Sequence, residues 1–219
     1  MQLAGQGLDV TIADLDVVNP YFRSREARGL SHAFGAPWQP GQAKPGRDCP
    51  RKLGSINILS DHFGGNTGQD LPAISYAFLS NVKAGENVII DLAGSPVGLR
   101  LLANCTDAIS SVKYEFLCVL NLFRPETDSP EKMIELVNKL NSASLLKITG
   151  LINNGNMLHD TAKEHILTSQ AAVLAAAKAL KLPLRYSLLN ANVYEEIKEQ
   201  ILSEEVLSFD KLQMRESWQ

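Results

Sequence analysis

The stretch EFLCVLNLFRPETDSPEKMIELVNKLNSASLLKITGLIN, residues 115–153, indicates the fold class of this chain. It begins with the apolar run EFLCVLN (115–121) and ends with a second apolar run, LKITGLIN (146–153). Between them lies a stretch in which apolar residues recur at helical spacing, namely Met133, Ile134, Val137 and Leu140. A strand, a helix and a second strand in this order predict a βαβ unit with parallel strands.

Start signals mark this helix and a second helix further along the chain. Ser129 or Asp128 is expected to cap the first helix, which has a proline in its first turn. The segment DTAKEHILTSQAAVLAAAKALKL (160–182) is predicted to form the second helix. Its Thr161 and Glu164 have the spacing of a capping box.

Further apolar runs on both sides extend the same alternation of strands and helices. They are LDVTIAD (8–14), SINILS (55–60), NVIIDLA (87–93) and LRYSLL (184–189). Several of these runs are apolar at consecutive positions, which is typical of strands buried on both faces of a parallel sheet. The fold class predicted for the chain is therefore α/β, with a doubly wound, mostly parallel sheet in three layers.

This pattern also predicts how the chain is divided. Residues 1–190 are expected to form the α/β domain, and residues 191–219 a charged C-terminal helix and tail on the surface. Within the domain, residues 35–54 contain four prolines and four glycines and are expected to form an irregular loop.

Composition narrows the class of protein. The chain has 219 residues, is 45% hydrophobic and has a net charge of −3, which indicates a globular protein without a nucleic-acid-binding face. Its three cysteines form no CxxC motif, and its four histidines show no metal-ligand spacing. Because neither a signal peptide nor a long apolar span is found, we expect a cytoplasmic protein without a membrane span.

Polar residues follow four of the predicted strands. In a doubly wound sheet the ligand binds beyond the carboxyl ends of the strands. The residues there are Asp14 and Asp16 with Asn19, then Asp91, then Asn121 with Arg124 and Glu126, then Asn153, Asn154 and Asn156. We expect them to meet along one edge. An aspartate after a strand also caps helices, and NNGN also forms turns, so the prediction depends on their joint placement.

A glycine-rich loop follows the strand at 55–60. Gly64 to Gly68 lie between this strand and a predicted helix, an order typical of phosphate-binding loops. The loop lacks the lysine of a GxxxxGK[ST] motif, and no Gly-Lys pair occurs in the chain. Its other interpretation is a plain connection.

Taken together, four blocks of the sequence resemble the MinD/ParA-like P-loop ATPases (the CobQ/CobB/MinD/ParA nucleotide-binding domain). This group includes the nitrogenase iron protein. The resemblance covers roughly residues 3–190, apart from the loop at 35–54. The blocks are VTIADLDVVNPYFRSREA (10–27), NTGQDLPAIS (66–75), VIIDLAGSPVGLRLL (88–102) and LNLFRPETDSPEKMIELVNKLNSASLLKITGLINN (120–154).

The resemblance implies a role for each of five residues. Asp14 and Asp16 are similar to the family's catalytic switch pair, with Asp16 expected to position the attacking water near magnesium. Asp91 is similar to the Walker B aspartate, which holds Mg²⁺ directly or through water. Asn154 is similar to the asparagine that reads adenine, and Asn153 is the neighbouring candidate. The implied cofactors are therefore ATP and Mg²⁺.

One part of the family pattern is not found in the sequence. The first strand and the lysine-containing P-loop are expected just upstream of QLAGQGLDV, and Met1 falls within the helix that follows them. A misassigned start codon, a truncated gene or a loop supplied by another chain would each explain this. We expect the chain as given to bind ATP poorly and to lack ATPase activity.

Three functions are consistent with these features. The first is an ATP-dependent switch that forms a homodimer and acts on an unidentified protein partner. The second is a non-catalytic interaction or regulatory protein that retains the ATPase fold. The third is a small-molecule or nucleoside-monophosphate binder that uses the loop at Gly64 to Gly68.

Overall fold

Two parallel β-sheets form the framework of the chain in this computed structural model. The structure describes residues 6–15, 55–60, 82 and 86–209. The contacts group into two units, Met1–Tyr114 and Glu115–Gln219, so they divide the chain within the range 1–190 expected to form one domain. Each unit is α/β, in agreement with the predicted class.

The first unit contains a three-stranded parallel sheet. Its strands are β1 (Val10–Asp14), β2 (Ile56–Ser60) and β3 (Asn87–Asp91), in the order β2-β1-β3. Each of the three was predicted from an apolar run, and the structure shortens the run at one or both ends. Parallel pairing puts the carboxyl ends of all three strands at the same edge of this sheet.

Short helical segments follow β3 in the same unit. They are α1 (Pro96–Leu99), a 3₁₀ segment (Arg100–Cys105) and α2 (Thr106–Ser110). Ser95 caps α1, because its Oγ accepts a hydrogen bond from the Gly98 N–H at 3.3 Å. Leu99, Leu102, Cys105 and Ile109 of this region are buried, whereas Val97 is 62% exposed.

The second unit contains a four-stranded parallel sheet. Its strands are β4 (Leu117–Leu120), β5 (Gly150–Asn153), β6 (Leu184–Asn190) and β7 (Glu205–Phe209). They lie in the order β4-β5-β6-β7 and all neighbouring pairs are parallel. The predicted βαβ unit is therefore confirmed, since β4 and β5 pair directly and a helix connects them.

That connecting helix is α3 (Pro130–Ala143), and its start is as predicted. Ser129 is the N-cap, with its Oγ accepting from the Lys132 N–H at 3.3 Å. Met133, Val137 and Leu140 are buried, which explains the helical spacing of the apolar residues. The choice left open between Asp128 and Ser129 is thereby settled.

The next helix, α4 (Lys163–Leu180), begins differently from the prediction. A Thr161–Glu164 capping box was expected, but the N-cap residue is Ala162, whose N–H donates to His165 Nδ1 at 3.0 Å. Thr161 instead accepts from the Met157 N–H at 2.8 Å, which closes the preceding turn. The capping-box prediction is wrong because the hydroxyl bonds upstream rather than into the helix.

The C-terminal region also differs from the prediction. A helix and a surface tail were expected from residue 191, but α5 (Ala191–Ile197) and a 3₁₀ turn (Lys198–Gln200) lead into β7 of the sheet. The buried Gln170 of α4 fixes this turn, since its amide donates to the Gln200 carbonyl and accepts from the Leu202 N–H. The prediction failed because Glu204 and Glu205 precede the short apolar segment that pairs with β6, so that it does not stand out as a strand in the sequence.

Burial alternates along the strands of the second sheet. On β4, Cys118 and Leu120 are buried, whereas Val119 is 53% exposed. On β5 and β6, Asn153 and Ser187 lie in register and are both buried. In the described residues, therefore, one face of the sheet is buried more fully than the other, although burial on both faces was expected.

Within the part of the chain that the structure describes, no helix has the length and apolar character needed to cross a membrane.

Candidate functional site

Two of the aspartates predicted to form the site lie on neighbouring strands of the first unit. Asp14 ends β1 and Asp91 ends β3, and parallel pairing makes these two residues partners in register. The chain continues this pairing for one more residue, because the Leu15 N–H donates to the Asp91 carbonyl oxygen at 2.9 Å. The backbone therefore places two of the three predicted aspartates beside each other on neighbouring strands. The side chain of Asp14, and Asp16 altogether, lie outside the described residues.

The segment after Asp91 is a tight turn. Gly98 packs against Ala93, and a Cβ on Gly98 would lie 2.6 Å from the Ala93 Cβ and 2.8 Å from its carbonyl oxygen. The Ser95 N–H also donates to this carbonyl oxygen, at 2.8 Å. The glycine is thus required by a close approach of backbone to backbone, and the turn follows Asp91 directly.

The donor chemistry of Asp91 suits Mg²⁺. The residue is half-buried at the carboxyl end of a strand, and carboxylate oxygens are the ligands that this ion prefers. One or two carboxylates together with substrate phosphates are the usual protein contribution to a Mg²⁺ site. In the described residues, no group of three or more His, Cys, Asp or Glu side chains is placed to hold a metal alone.

In the second unit, asparagines occupy the carboxyl ends of β4 and β5. Asn121 follows β4, and its Oδ1 accepts from the Phe123 N–H at 3.0 Å. The same residue contacts the loop after β5, since its Nδ2 donates to the Asn156 carbonyl and its Oδ1 accepts from the Asn156 N–H. A hydrogen bond from the buried Thr127 to the Asn121 carbonyl fixes the backbone there, at 2.6 Å.

Asn153, one of the two predicted adenine contacts, is buried beneath this loop. Its side chain is 1% exposed, and its Oδ1 accepts from Ser169 Oγ at 2.7 Å and from the Gly155 N–H at 3.1 Å. Ser169 lies on α4 and is fully buried. These bonds connect the loop after β5 to α4, so the Asn153 side chain has a structural role.

Asn154, the other predicted adenine contact, is half-buried and lies at the surface of the loop. Its backbone N–H donates to the Leu120 carbonyl at 2.8 Å, which continues the β4–β5 pairing by one residue. Its side-chain Oδ1 accepts from Asn156 Nδ2 at 3.0 Å. Of the two neighbouring asparagines, Asn154 is therefore the more exposed.

The remaining predicted residues are placed as follows. Arg124 and Glu126 are both exposed, and the structure shows no ion pair between them within the described ranges. Gly64 to Gly68 and the loop at 35–54 lie outside the described residues. Whether the ends of all four strands meet at one edge stays a prediction, because each sheet is described separately.

Sequence reasoning missed the part played by Ser169. A serine on a helix rich in alanine is ordinarily a neutral surface residue, and only its position on the buried face distinguishes it. A helical projection of 163–180 places Ser169 with Ile166, Val173 and Ala176, and that pattern was the available signal.

The fold and these strand ends define an α/β protein whose parallel sheets present carboxylate and amide groups at their carboxyl edges. No protein-family model matches the sequence, and neither a comparison with curated proteins nor one with solved structures found a match. The resemblance to MinD/ParA-like ATPases thus depends on the sequence blocks themselves.

Proposed function

We propose that this chain is a nucleotide-binding protein with the three-layer P-loop NTPase fold of the MinD/ParA-like ATPases. The observation that carries the proposal is the register of β1 and β3, in which Asp14 and Asp91 end adjacent parallel strands. Such a pair of carboxylates typically binds Mg²⁺ together with the phosphates of a ligand. ADP and ATP are the nucleotides that the sequence resemblance implies.

Each residue has a separate role in this proposal. Asp91 would hold Mg²⁺, directly or through water, and Asp14 with Asp16 would position water beside it. Mg²⁺ supplies charge neutralisation at the phosphates when bound. Asn154 would contact the adenine through its carboxamide, and Asn153 would support the loop from below.

For the chain of 219 residues we propose binding without hydrolysis. The sequence contains no Gly-Lys pair, and therefore no P-loop lysine of the GxxxxGK[ST] type. Without that lysine the charge on the transferred phosphoryl group is less well neutralised. ATP turnover that needs Mg²⁺ and disappears in Asp16→Asn would contradict this part of the proposal.

Thermal unfolding with ADP, with and without Mg²⁺, tests the proposal. A ligand at about ten times its Kd stabilises the folded state by about 1.4 kcal/mol, which raises Tm by about 3–6 °C for a chain of this size. We expect this rise with ADP and Mg²⁺, and a smaller one with ADP alone. AMP and GDP are expected to give weaker stabilisation.

Asp91→Asn should abolish the part of the stabilisation that depends on Mg²⁺. The matched control is Asp107→Asn, because Asp107 is an exposed aspartate of the same unit that lies in α2 and does not end a strand. The control should keep the full response. Equal responses of the two variants would show that Asp91 does not hold the ion.

A second candidate is the non-catalytic interaction or regulatory protein, and the absence of a Gly-Lys pair favours it. If none of the nucleotides changes Tm at millimolar concentration, with or without Mg²⁺, the nucleotide-binding proposal is refuted and this candidate takes its place.

A further inference from the structure

The loop after β5 contains a chain of hydrogen bonds that sets the orientation of one carboxamide from another. Asn156 Nδ2 donates to the Asn154 carbonyl oxygen at 2.9 Å, and Asn156 Oδ1 accepts from the Leu158 N–H at 3.4 Å. A carbonyl only accepts and an N–H only donates, so these two backbone groups determine which end of the Asn156 carboxamide is nitrogen.

The orientation of the Asn156 carboxamide determines the orientation of the Asn154 carboxamide. Asn156 Nδ2 also donates to Asn154 Oδ1, at 3.0 Å. The atom of Asn154 that faces Asn156 must therefore be the oxygen, and the amide nitrogen lies on the other side of the carboxamide. No described residue forms a hydrogen bond with this nitrogen.

Asn121 fixes the other side of the same loop. Its Oδ1 accepts from the Phe123 N–H and from the Asn156 N–H, and its Nδ2 donates to the Asn156 carbonyl oxygen. Backbone groups thus also determine the orientation of the Asn121 carboxamide. The main chain of Asn156 is held by a residue 35 positions earlier, at the end of β4.

We propose that Asn156 is a positioning residue that holds the carboxamide of Asn154 in one orientation, with the amide nitrogen and one lone pair of Oδ1 available to a ligand. This inference rests on the proposed function, since the ligand it concerns is a nucleotide base. A donor beside an acceptor complements the edge of adenine that carries N6–H₂ and N7. Hypoxanthine has an oxygen in place of the amino group, so the same edge presents two acceptors.

The consequence is a preference for ADP over inosine diphosphate that depends on Asn156. Discrimination by a bidentate asparagine corresponds to roughly tenfold or more in Kd. In Asn156→Ala the Asn154 carboxamide can rotate. We therefore expect the ratio of the Kd of inosine diphosphate to the Kd of ADP to fall close to the ratio in Asn154→Ala. Because Asn156 acts through Asn154, the double variant should show no further fall.

Asn156→Asp tests whether Asn156 orients the Asn154 carboxamide or only supports the structure of the loop. The carboxylate keeps the acceptor for the Leu158 N–H and the size of the side chain, but it has no donor for the two oxygens of Asn154. We expect its ratio to fall as far as that of Asn156→Ala. Asn138→Ala, at an exposed asparagine of α3, is the matched control and should keep the wild-type ratio.

Two measurements on the full chain test the proposal. Calorimetric titration gives the Kd of ADP and of inosine diphosphate for each variant in the presence of Mg²⁺. Side-chain amide resonances in ¹⁵N-labelled, ligand-free protein report whether the Asn154 NH₂ group is ordered, and whether Asn156→Ala makes it mobile. The second readout needs no nucleotide.

The outcomes distinguish this inference from the proposed function. A mobile Asn154 NH₂ group in the wild-type protein overturns the inference whether or not ADP binds. Equal losses of ADP and inosine diphosphate affinity in Asn156→Ala, with an unchanged ratio, also overturn it, since they indicate a purely structural role. An ordered NH₂ group that Asn156→Ala releases, with no ADP binding, supports the orientation and refutes the proposed function.

Discussion

Gly155→Ala is expected to be the most informative single change in the second unit. An alanine Cβ at this position would lie 2.2 Å from both Cβ and Oγ of Ser169, and 3.2 Å from Asn153 Oδ1. The Ser169 Cβ is attached directly to the backbone of α4, so it cannot swing away as the end of a long side chain would. Either the loop or the helix must move.

The magnitude follows from two effects. Inserting a methyl group into a packed site costs about 1–3 kcal/mol. Moving the loop also breaks the bonds that Asn153 Oδ1 accepts from Ser169 and Gly155, and a buried polar group left without its partner costs about 1–3 kcal/mol. We therefore expect Gly155→Ala to lower the free energy of unfolding by about 3 kcal/mol.

Urea denaturation followed by far-UV circular dichroism measures this loss. Gly94→Ala is the matched control, because a Cβ there meets no atom within 4 Å and the backbone has no positive φ. We expect the control to stay within about 0.5 kcal/mol of the wild type. A Gly155→Ala protein as stable as Gly94→Ala would refute the steric argument.

A double-mutant cycle makes the test specific. Ser169→Gly removes the two atoms that would lie 2.2 Å from the new Cβ, at a cost of about 2 kcal/mol from the lost hydrogen bond and a glycine within a helix. Adding Gly155→Ala to Ser169→Gly should then cost little more, which gives a coupling energy close to the loss of about 3 kcal/mol expected for Gly155→Ala alone. Additive losses would show that the clash is with another part of the structure.

Three further predictions concern single side chains of the second unit. Burial raises the pKa of the Cys118 thiol to about 11, whereas the unfolded thiol titrates near 9.0. The folded state therefore retains this proton at a pH at which the unfolded state loses it. Between pH 8 and 10.5 the free energy of unfolding should fall by about 2 kcal/mol more in the wild type than in Cys118→Ala. Parallel pH profiles of the two proteins in denaturant titrations would contradict this. His165→Ala removes the acceptor for the Ala162 N–H and should destabilise the start of α4 by about 1 kcal/mol, seen as faster amide exchange in its first turn. Ser129→Ala should cost about 1 kcal/mol at α3, whereas Ser129→Asp, which keeps a capping oxygen, should retain most of the stability in the same denaturation assay.

The sequence alone was sufficient for the elements with strong local signals. All six apolar runs became strands, because strands of a parallel sheet satisfy their backbone groups by pairing while they bury consecutive apolar side chains. Ser129 with Pro130 correctly marked the start of α3, since a cap depends on residues only three positions apart. The parallel direction of neighbouring strands followed from the helices that connect them.

Two other features were predicted less well, because competing partners outside the local motif determined them. Thr161 and Glu164 have the spacing of a capping box, yet the Thr161 hydroxyl bonds to the turn that precedes α4. The Ala162 N–H at the start of the helix donates to His165 instead. The strand at 205–209 was missed because two glutamates, at 204 and 205, stand at its start, and its place is set by pairing with β6 and by the contact of Gln170 with the turn before it.

The candidate site shows the same division. The sequence determined by itself that polar residues follow the strands, and it drew attention to Asp14, Asp91 and the asparagines of NNGN. Only the tertiary structure decided that Asn153 is buried against α4 while Asn154 is more exposed. The physical reason is that an asparagine side chain is equally able to bond to the protein or to a ligand. Which of the two it does depends on donors and acceptors that folding brings to it, from 16 positions away for Asn153 and 35 for Asn121.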